Sequence, residues 1–303
     1  MNWRKMLFPI LFFLSMTVIA QVPSPTPTPN PNSRQRQVNP IIADNANFDR
    51  LRSLELMIPK DSADNHPLLN SKKGIYRRPS KEEIQILAVA EPLLTLHAAL
   101  LRGPNTGIVK LNGESSCLSD VDVVVATEKC LGFKMPGAGT AYSFRTESYR
   151  LPRLADVILL DGVFRTGGVF QQVFMADIGD VAIEDVSLET RGLKYLNRLK
   201  PVRDSDEFMR FDAEIANGIE ADGLTYRKGQ LVKDNSTFVL RSIAYRGSYI
   251  RSIDGISYDE LEFDKRRDVI VAFRVVDMDT AGNITILWKR LKDTESPKLK
   301  IMK

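Results

Sequence analysis

Apolar positions follow two rhythms along the chain. Over residues 44–58, Phe48, Leu51, Leu54 and Ile58 recur at helical spacing, and the pattern stops at Pro59. Ser80-Lys81-Glu82-Glu83 has the form of a capping box, and the apolar run behind it reaches Arg102 before Gly103-Pro104. Pro92 lies inside that run and is expected to kink or split the helix. From Thr106 onward the rhythm becomes that of strands, with candidates over residues 106–111, 121–126, 140–150, 155–166 and 168–176. Asp161-Gly162 separates Val157-Ile158-Leu159-Leu160 from Val163-Phe164. Asp-Gly suits the two positive φ angles of a type I′ turn, so a hairpin is predicted there.

Residues 188–199 and 204–216 read as helices. Residues 237–246, 268–277 and 283–290 return to strand. Ile284, Ile286 and Trp288 alternate with Thr285, Leu287 and Lys289, which predicts one well-buried face. Residues 277–283 supply the turn of an antiparallel hairpin. Helices and strands come in blocks rather than in strict alternation. The predicted class is therefore α+β: N-terminal helices, then a mainly antiparallel sheet with an inserted helical segment and a C-terminal β-hairpin.

Composition narrows the picture. The chain has 303 residues, 43% hydrophobic and 26% charged, which excludes collagen, coiled coil and wholesale disorder. Net charge is +4, from 42 basic and 38 acidic residues, too balanced for a dedicated nucleic-acid binder. Arg4 and Lys5 precede an apolar run over residues 6–20 that ends in Val18-Ile19-Ala20, the layout of a secretory signal peptide cleaved before Gln21. That run falls short of the ~20 residues that cross a bilayer. An uncleaved anchor is the alternative, and no later stretch is long and apolar enough to span. Pro23, Pro25, Pro27, Pro29 and Pro31 make residues 21–40 a Pro/Thr-rich disordered linker. Residues 41–303 are expected to form one globular domain.

Cys117 and Cys130 are the only cysteines. In an exported chain a disulfide between them is the expectation, worth about 3 kcal/mol for so short a loop. Two buried free thiols are the alternative.

The candidate chemistry is sparse. HExxH, HxH, CxxC, G-x-S-x-G and S-x-x-K spacings do not occur. Gly137-Ala138-Gly139 lacks the third glycine of a dinucleotide fingerprint, and Ala138 stands where a P-loop needs its lysine. His97 shares a helical face with Leu93, Leu100 and Leu101, which reads as a packed histidine or as a desolvated general base. His66 has no assigned role. Asp277, Asp279 and Asn283 resemble part of a calcium loop, but Ala281 and Trp288 stand where further oxygen ligands belong, so the segment reads as a turn.

Asp177, Asp180, Glu184 and Asp185 form an acidic cluster of the kind used in sugar hydrolysis, or one that complements the N-terminus of the following helix. Tyr245-Arg246, Tyr249, Arg251 and Tyr258, near Arg266-Arg267, interleave aromatics with cations as a sugar- or anion-binding surface would. Lys298, Lys300 and Lys303 read as a solubilising tail. No catalytic, cofactor-binding or metal-binding residue is assigned.

The reading that follows is an exported, non-catalytic binding or structural protein of the envelope or extracellular space, with a polysaccharide or another envelope protein as partner. The alternative is a carboxylate-dependent hydrolase of an envelope or extracellular polymer, with His97 or the Asp177–Asp185 acids as candidates.

Overall fold

The computed structural model of the protein describes residues 87–113, 139–150, 152–253 and 256–300. They belong to one compact unit within Ala46–Lys303. A first five-stranded sheet has the order β1 (Thr106–Leu111), β14 (Ile284–Glu295), β13 (Arg267–Met278), β10 (Thr237–Ala244), β6 (Gln171–Gly179), with every neighbouring pair antiparallel. A second has the order β3 (Ser148–Tyr149), β2 (Ala141–Ser143), β4 (Val157–Leu160), β5 (Val163–Arg165), β9 (Gly229–Leu231), again antiparallel. Two ribbons complete the β structure: β7 (Ile219–Ala221) with β8 (Leu224–Tyr226), and β11 (Ile250–Ile253) with β12 (Ile256–Asp259).

Period-two alternation explains how the sheets meet. Val269, Val271, Phe273 and Val275 of β13, Phe238 and Leu240 of β10, and Ile284, Ile286 and Trp288 of β14 share one buried cluster with Val157 and Leu159 of β4 and Phe164 of β5. The two sheets therefore form a sandwich. Its centre is aromatic. The ring of Phe273 lies 5.8 Å from Phe144, 5.1 Å from Phe164 and 5.2 Å from Phe238, so one side chain joins both sheets. Each such pair adds about 0.5–1.5 kcal/mol beyond its area.

The sides of the sandwich are closed. Met175 on β6 exchanges both backbone bonds with Arg227, and the chain then enters β9 of the other sheet. At the opposite side the Asn112 amide donates to the Gly139 carbonyl at 2.9 Å, and the Tyr149 hydroxyl donates to the Lys110 carbonyl at 2.6 Å. These links cover edges that would otherwise offer unpaired backbone groups.

The other face of the first sheet is also covered. Helices α3 (Leu193–Arg198) and α4 (Ser205–Asn217) lie over it, with Leu193, Leu196, Phe208 and Ile215 buried. Phe174 of β6 meets Phe211 at 5.7 Å, and Phe208 meets Tyr245 at 5.3 Å. All eight residues of β10 are consequently buried. Asp204 caps α4 by accepting from the amides of Asp206 and Glu207.

The α+β expectation is overturned. The protein is mostly antiparallel sheet, with few helices, among the described residues. The helix expected over residues 44–58 lies outside them. The one expected up to Arg102 is represented by α1 (Glu91–Leu96) and α2 (Ala98–Leu101), neither with a buried residue. Pro92 stands in the first turn of α1, where its missing N–H costs nothing, so it starts a helix rather than kinking one. The helix expected from residue 188 begins only at Leu193, because Gly192 takes φ 88° at its N-cap.

The Asp161-Gly162 hairpin has φ 51° and 69° at its two turn residues. Asp222-Gly223, joining β7 to β8, repeats this with φ 52° and 71° and went unread in the sequence. The strand candidate over residues 121–126 lies outside the described residues.

Phe273→Ala should cost about 3–5 kcal/mol, because three rings lose their common neighbour. A urea midpoint that moves less than a surface alanine control's would show that the aromatic centre is not where the sheets are held.

Candidate functional site

Charged side chains inside a fold must be paired, and this chain buries several. Arg145, just past β2, is fully buried between Asp156 and Asp264. Its Nε donates to Asp156 at 2.8 Å, one terminal nitrogen to Asp264 at 2.6 Å, and the other to the Leu154 carbonyl at 2.8 Å. Asp156 also accepts from Ser143, from Gln171 of β6 and from Ser242 of β10, so the knot ties the two sheets together. Burial alone would lower the pKa of Arg145, but the facing carboxylates outweigh it and the pKa is raised. Burial likewise pushes Asp264 upward, and Arg145 and Arg266 reverse the shift to hold it below its ordinary value. Arg266, buried and repelled by Arg145, is pushed down to about 10. These groups are engaged with one another and serve structure, with only the second oxygen of Asp264 lacking a hydrogen bond among the knot's carboxylates.

Two of the acids singled out in the sequence go the same way. Asp177 binds Lys233 at 2.6 Å and accepts from the Ser236 hydroxyl and the Gly179 amide. Partial burial raises its pKa, but these donors outweigh it and the carboxyl is lowered. Asp180 pairs with Arg274 at 2.6 Å. Glu184 and Asp185 are exposed on a 3-10 turn, Ile183–Asp185, eight residues short of α3, so they cap no helix.

His97 is half-buried at the junction of α1 and α2. Asp279 accepts from the amides of Ala281 and Asn283, from the Asn283 side chain, and from Lys110 at 3.0 Å, which makes it the organiser of the β13–β14 turn. Partial burial pushes it up, but Asn283 and Lys110 prevail and hold it down to about 2.

Three members of the aromatic–cation surface are committed elsewhere. Tyr245 is fully buried, Arg266 donates to the carbonyls of Tyr245, Val169 and Phe170, and Arg267 pairs with Asp293 at 2.6 Å. The side chains of Arg251 and Tyr258 lie outside the described residues, as do His66, Cys117 and Cys130.

What the fold does assemble is a basic cleft. An open cavity of about 1210 Å³ lies where α3, the loop after it, β13 and β14 meet the segment Ser296–Lys300. That segment is not a solvated tail. Ser296 is buried and its hydroxyl donates to the Ala244 carbonyl. The Arg246 amide donates to Pro297 at 3.0 Å, and the Lys300 amide to Arg203 at 2.6 Å. Isolated parallel bridges pair Arg246 with Lys298 and Asp204 with Lys300.

The floor of the cleft is the buried pair Arg241–Asp268, 2.7 Å apart. Arg241 also donates to the carbonyls of Leu196 and Leu199, so it binds the C-terminal end of α3 with a cation where the helix dipole is negative. Eight cations and two acids line the cleft. Arg198 pairs with Asp222 and Lys292 with Asn197, but Lys200, Arg203, Arg246, Lys298 and Lys300 have no side-chain partner among the described residues. Arg246 belongs to the aromatic–cation candidate and Lys298 and Lys300 to the segment read as a solubilising tail, whereas Lys200 and Arg203 carry no sequence signal. No local spacing signals that these three stretches converge.

Comparison with family models, with curated proteins and with solved structures finds no match to this chain.

Arg145→Met should cost about 3–5 kcal/mol by leaving Asp156 and Asp264 buried without their main cation; a melting temperature near wild type would refute the knot's role. The Asp279→Asn variant should lose about 1 kcal/mol near pH 6, allowing for screening at a surface turn. A carboxyl depressed in the folded state stabilises fully above pH ~4 and loses that contribution as pH falls toward 2, so wild type and variant should converge there. A gap that persists in urea titrations at the acid end would contradict this.

Proposed function

We propose that this chain is an exported, non-catalytic binding protein of the envelope or extracellular space, and that the basic cleft receives an anionic ligand. The observation that carries this reading is the set of five cations that have no side-chain partner among the described residues, around a cleft whose floor is already neutralised by Arg241–Asp268. Like charges brought together raise the energy of the folded chain, and a bound anion relieves it.

A carboxylate-dependent glycosidase would need two carboxyl groups free to act in one cleft, and of the two acids that line the basic cleft Asp268 is tied to Arg241. Asp177 and Asp180 are instead each tied to a cation, and Glu184 and Asp185 stand in the open. Export rests on the sequence pattern of residues 1–20. No helix among the described residues is long and apolar enough to cross a membrane.

The test is retention of the purified chain on envelope fractions. Retention should fall as salt rises from about 0.05 M to about 0.5 M, since the cations are exposed and screenable. Arg203→Glu combined with Arg246→Glu should reduce it several-fold, whereas Tyr249→Ala, outside the cleft, should leave it unchanged. Retention indifferent to salt and to both arginines would overturn the reading.

A further inference from the structure

We infer that the ligand of the basic cleft is an acidic stretch of polypeptide in extended conformation, a deepening that rests on the cleft being a binding surface at all. The first observation is size. About 1210 Å³ of open cleft exceeds the ~300–1,000 Å³ of ordinary small-molecule pockets, so a single small anion would leave most of the cations unanswered.

The second is spacing. The two bridges hold Lys298 and Lys300 on an extended backbone, with both side chains exposed and Leu299 between them less so. Alternate residues of an extended chain share a face and repeat every ~6.6 Å. Alternate acidic side chains on an extended peptide repeat at the same distance, so the two arrays can stay in register over more than one pair. Arg246, bridged to Lys298, sits on the neighbouring strand position and widens the row.

The third is the apolar part of the lining. Leu199, Pro201, Pro297 and Leu299 contribute it, and no aromatic residue does among the described residues that line the cleft. Nucleobases are held largely by stacking on aromatic faces, and none lines the cleft among the described residues. Aliphatic walls between cations suit the alternating side chains of a peptide instead, with acids on one side and small apolar groups on the other.

The experiment uses the purified full chain and four probes: a fluorescent peptide of alternating Glu and Val, a peptide of the same composition with its Glu residues in one block, a charge-matched oligogalacturonide, and a charge-matched oligothymidylate. Anisotropy should show the alternating peptide binding most tightly, with the block peptide several-fold weaker. Lys298→Glu with Lys300→Glu should raise the Kd for the alternating peptide roughly tenfold or more. Both side chains are exposed, so the variant's urea midpoint should stay at the wild-type value, which separates lost binding from lost fold.

Tighter binding of the oligogalacturonide or oligothymidylate, abolished by the same two substitutions, would overturn the peptide inference and leave the cleft reading intact. Equal affinity for the alternating and block peptides would overturn the register argument and with it the inference. Binding of no polyanion, or binding untouched by the substitutions, would overturn both.

Discussion

A guanidinium with no access to water must be answered within the protein, and Arg145 sets that constraint for the whole sandwich. Its partners come from far apart: Asp156 at the entry to β4, Asp264 and the Lys265 carbonyl ahead of β13, and the Leu154 carbonyl. Asp156 in turn holds Gln171 of β6 and Ser242 of β10. The apolar faces of the two sheets attract without direction. The knot is directional, so it selects one arrangement of sheet against sheet among many that would bury similar area. Phe144, the residue before Arg145, points into the aromatic centre beside Phe273, and the polar and apolar locks are thus set by neighbouring residues.

The opposite face of the first sheet repeats the device with another outcome. Arg241, on β10, cannot reach the knot because alternation turns it the other way. It finds Asp268 and the open carbonyls at the end of α3. That fixes where α3 stops, and so where Lys200 and Arg203 emerge. Ser296 anchors the following segment against Ala244, which brings Lys298 and Lys300 to the same cleft. The site is therefore a by-product of how a buried ion pair is satisfied: the pair needs a roof, and the roof carries the cations.

Six carboxylates among the described residues serve structure. Asp156, Asp264, Asp268, Asp177, Asp204 and Asp279 each accept from backbone amides, hydroxyls or cations that would otherwise lack an acceptor. In a β-rich protein many turns and strand ends leave amides pointing at solvent, and a short acidic side chain is the nearest acceptor. A cluster such as Asp177–Asp185 consequently looks like a pair of catalytic acids when read along the chain, while Asp177 and Asp180 answer different local needs and Glu184 and Asp185 stand exposed.

Local features were legible without the fold. The Asp161-Gly162 hairpin, the helix over residues 204–216, the buried face of Ile284, Ile286 and Trp288, and the turn through Asp279 follow from interactions among residues close in sequence, where backbone preference and period decide. Short-range patterns failed where distant parts of the chain compete. The apolar run around Leu93 and Leu96 has helical spacing, yet Leu96 remains 72% exposed because no described element packs on that side. Tyr245 and Arg266 looked like surface groups and were drawn inside by α4 and by free carbonyls. The cleft belongs wholly to the tertiary structure. Lys200 and Lys298 line one cleft because Arg241 and Ser296 find their partners there, and electrostatic pairing across the fold has no period that a sequence can display.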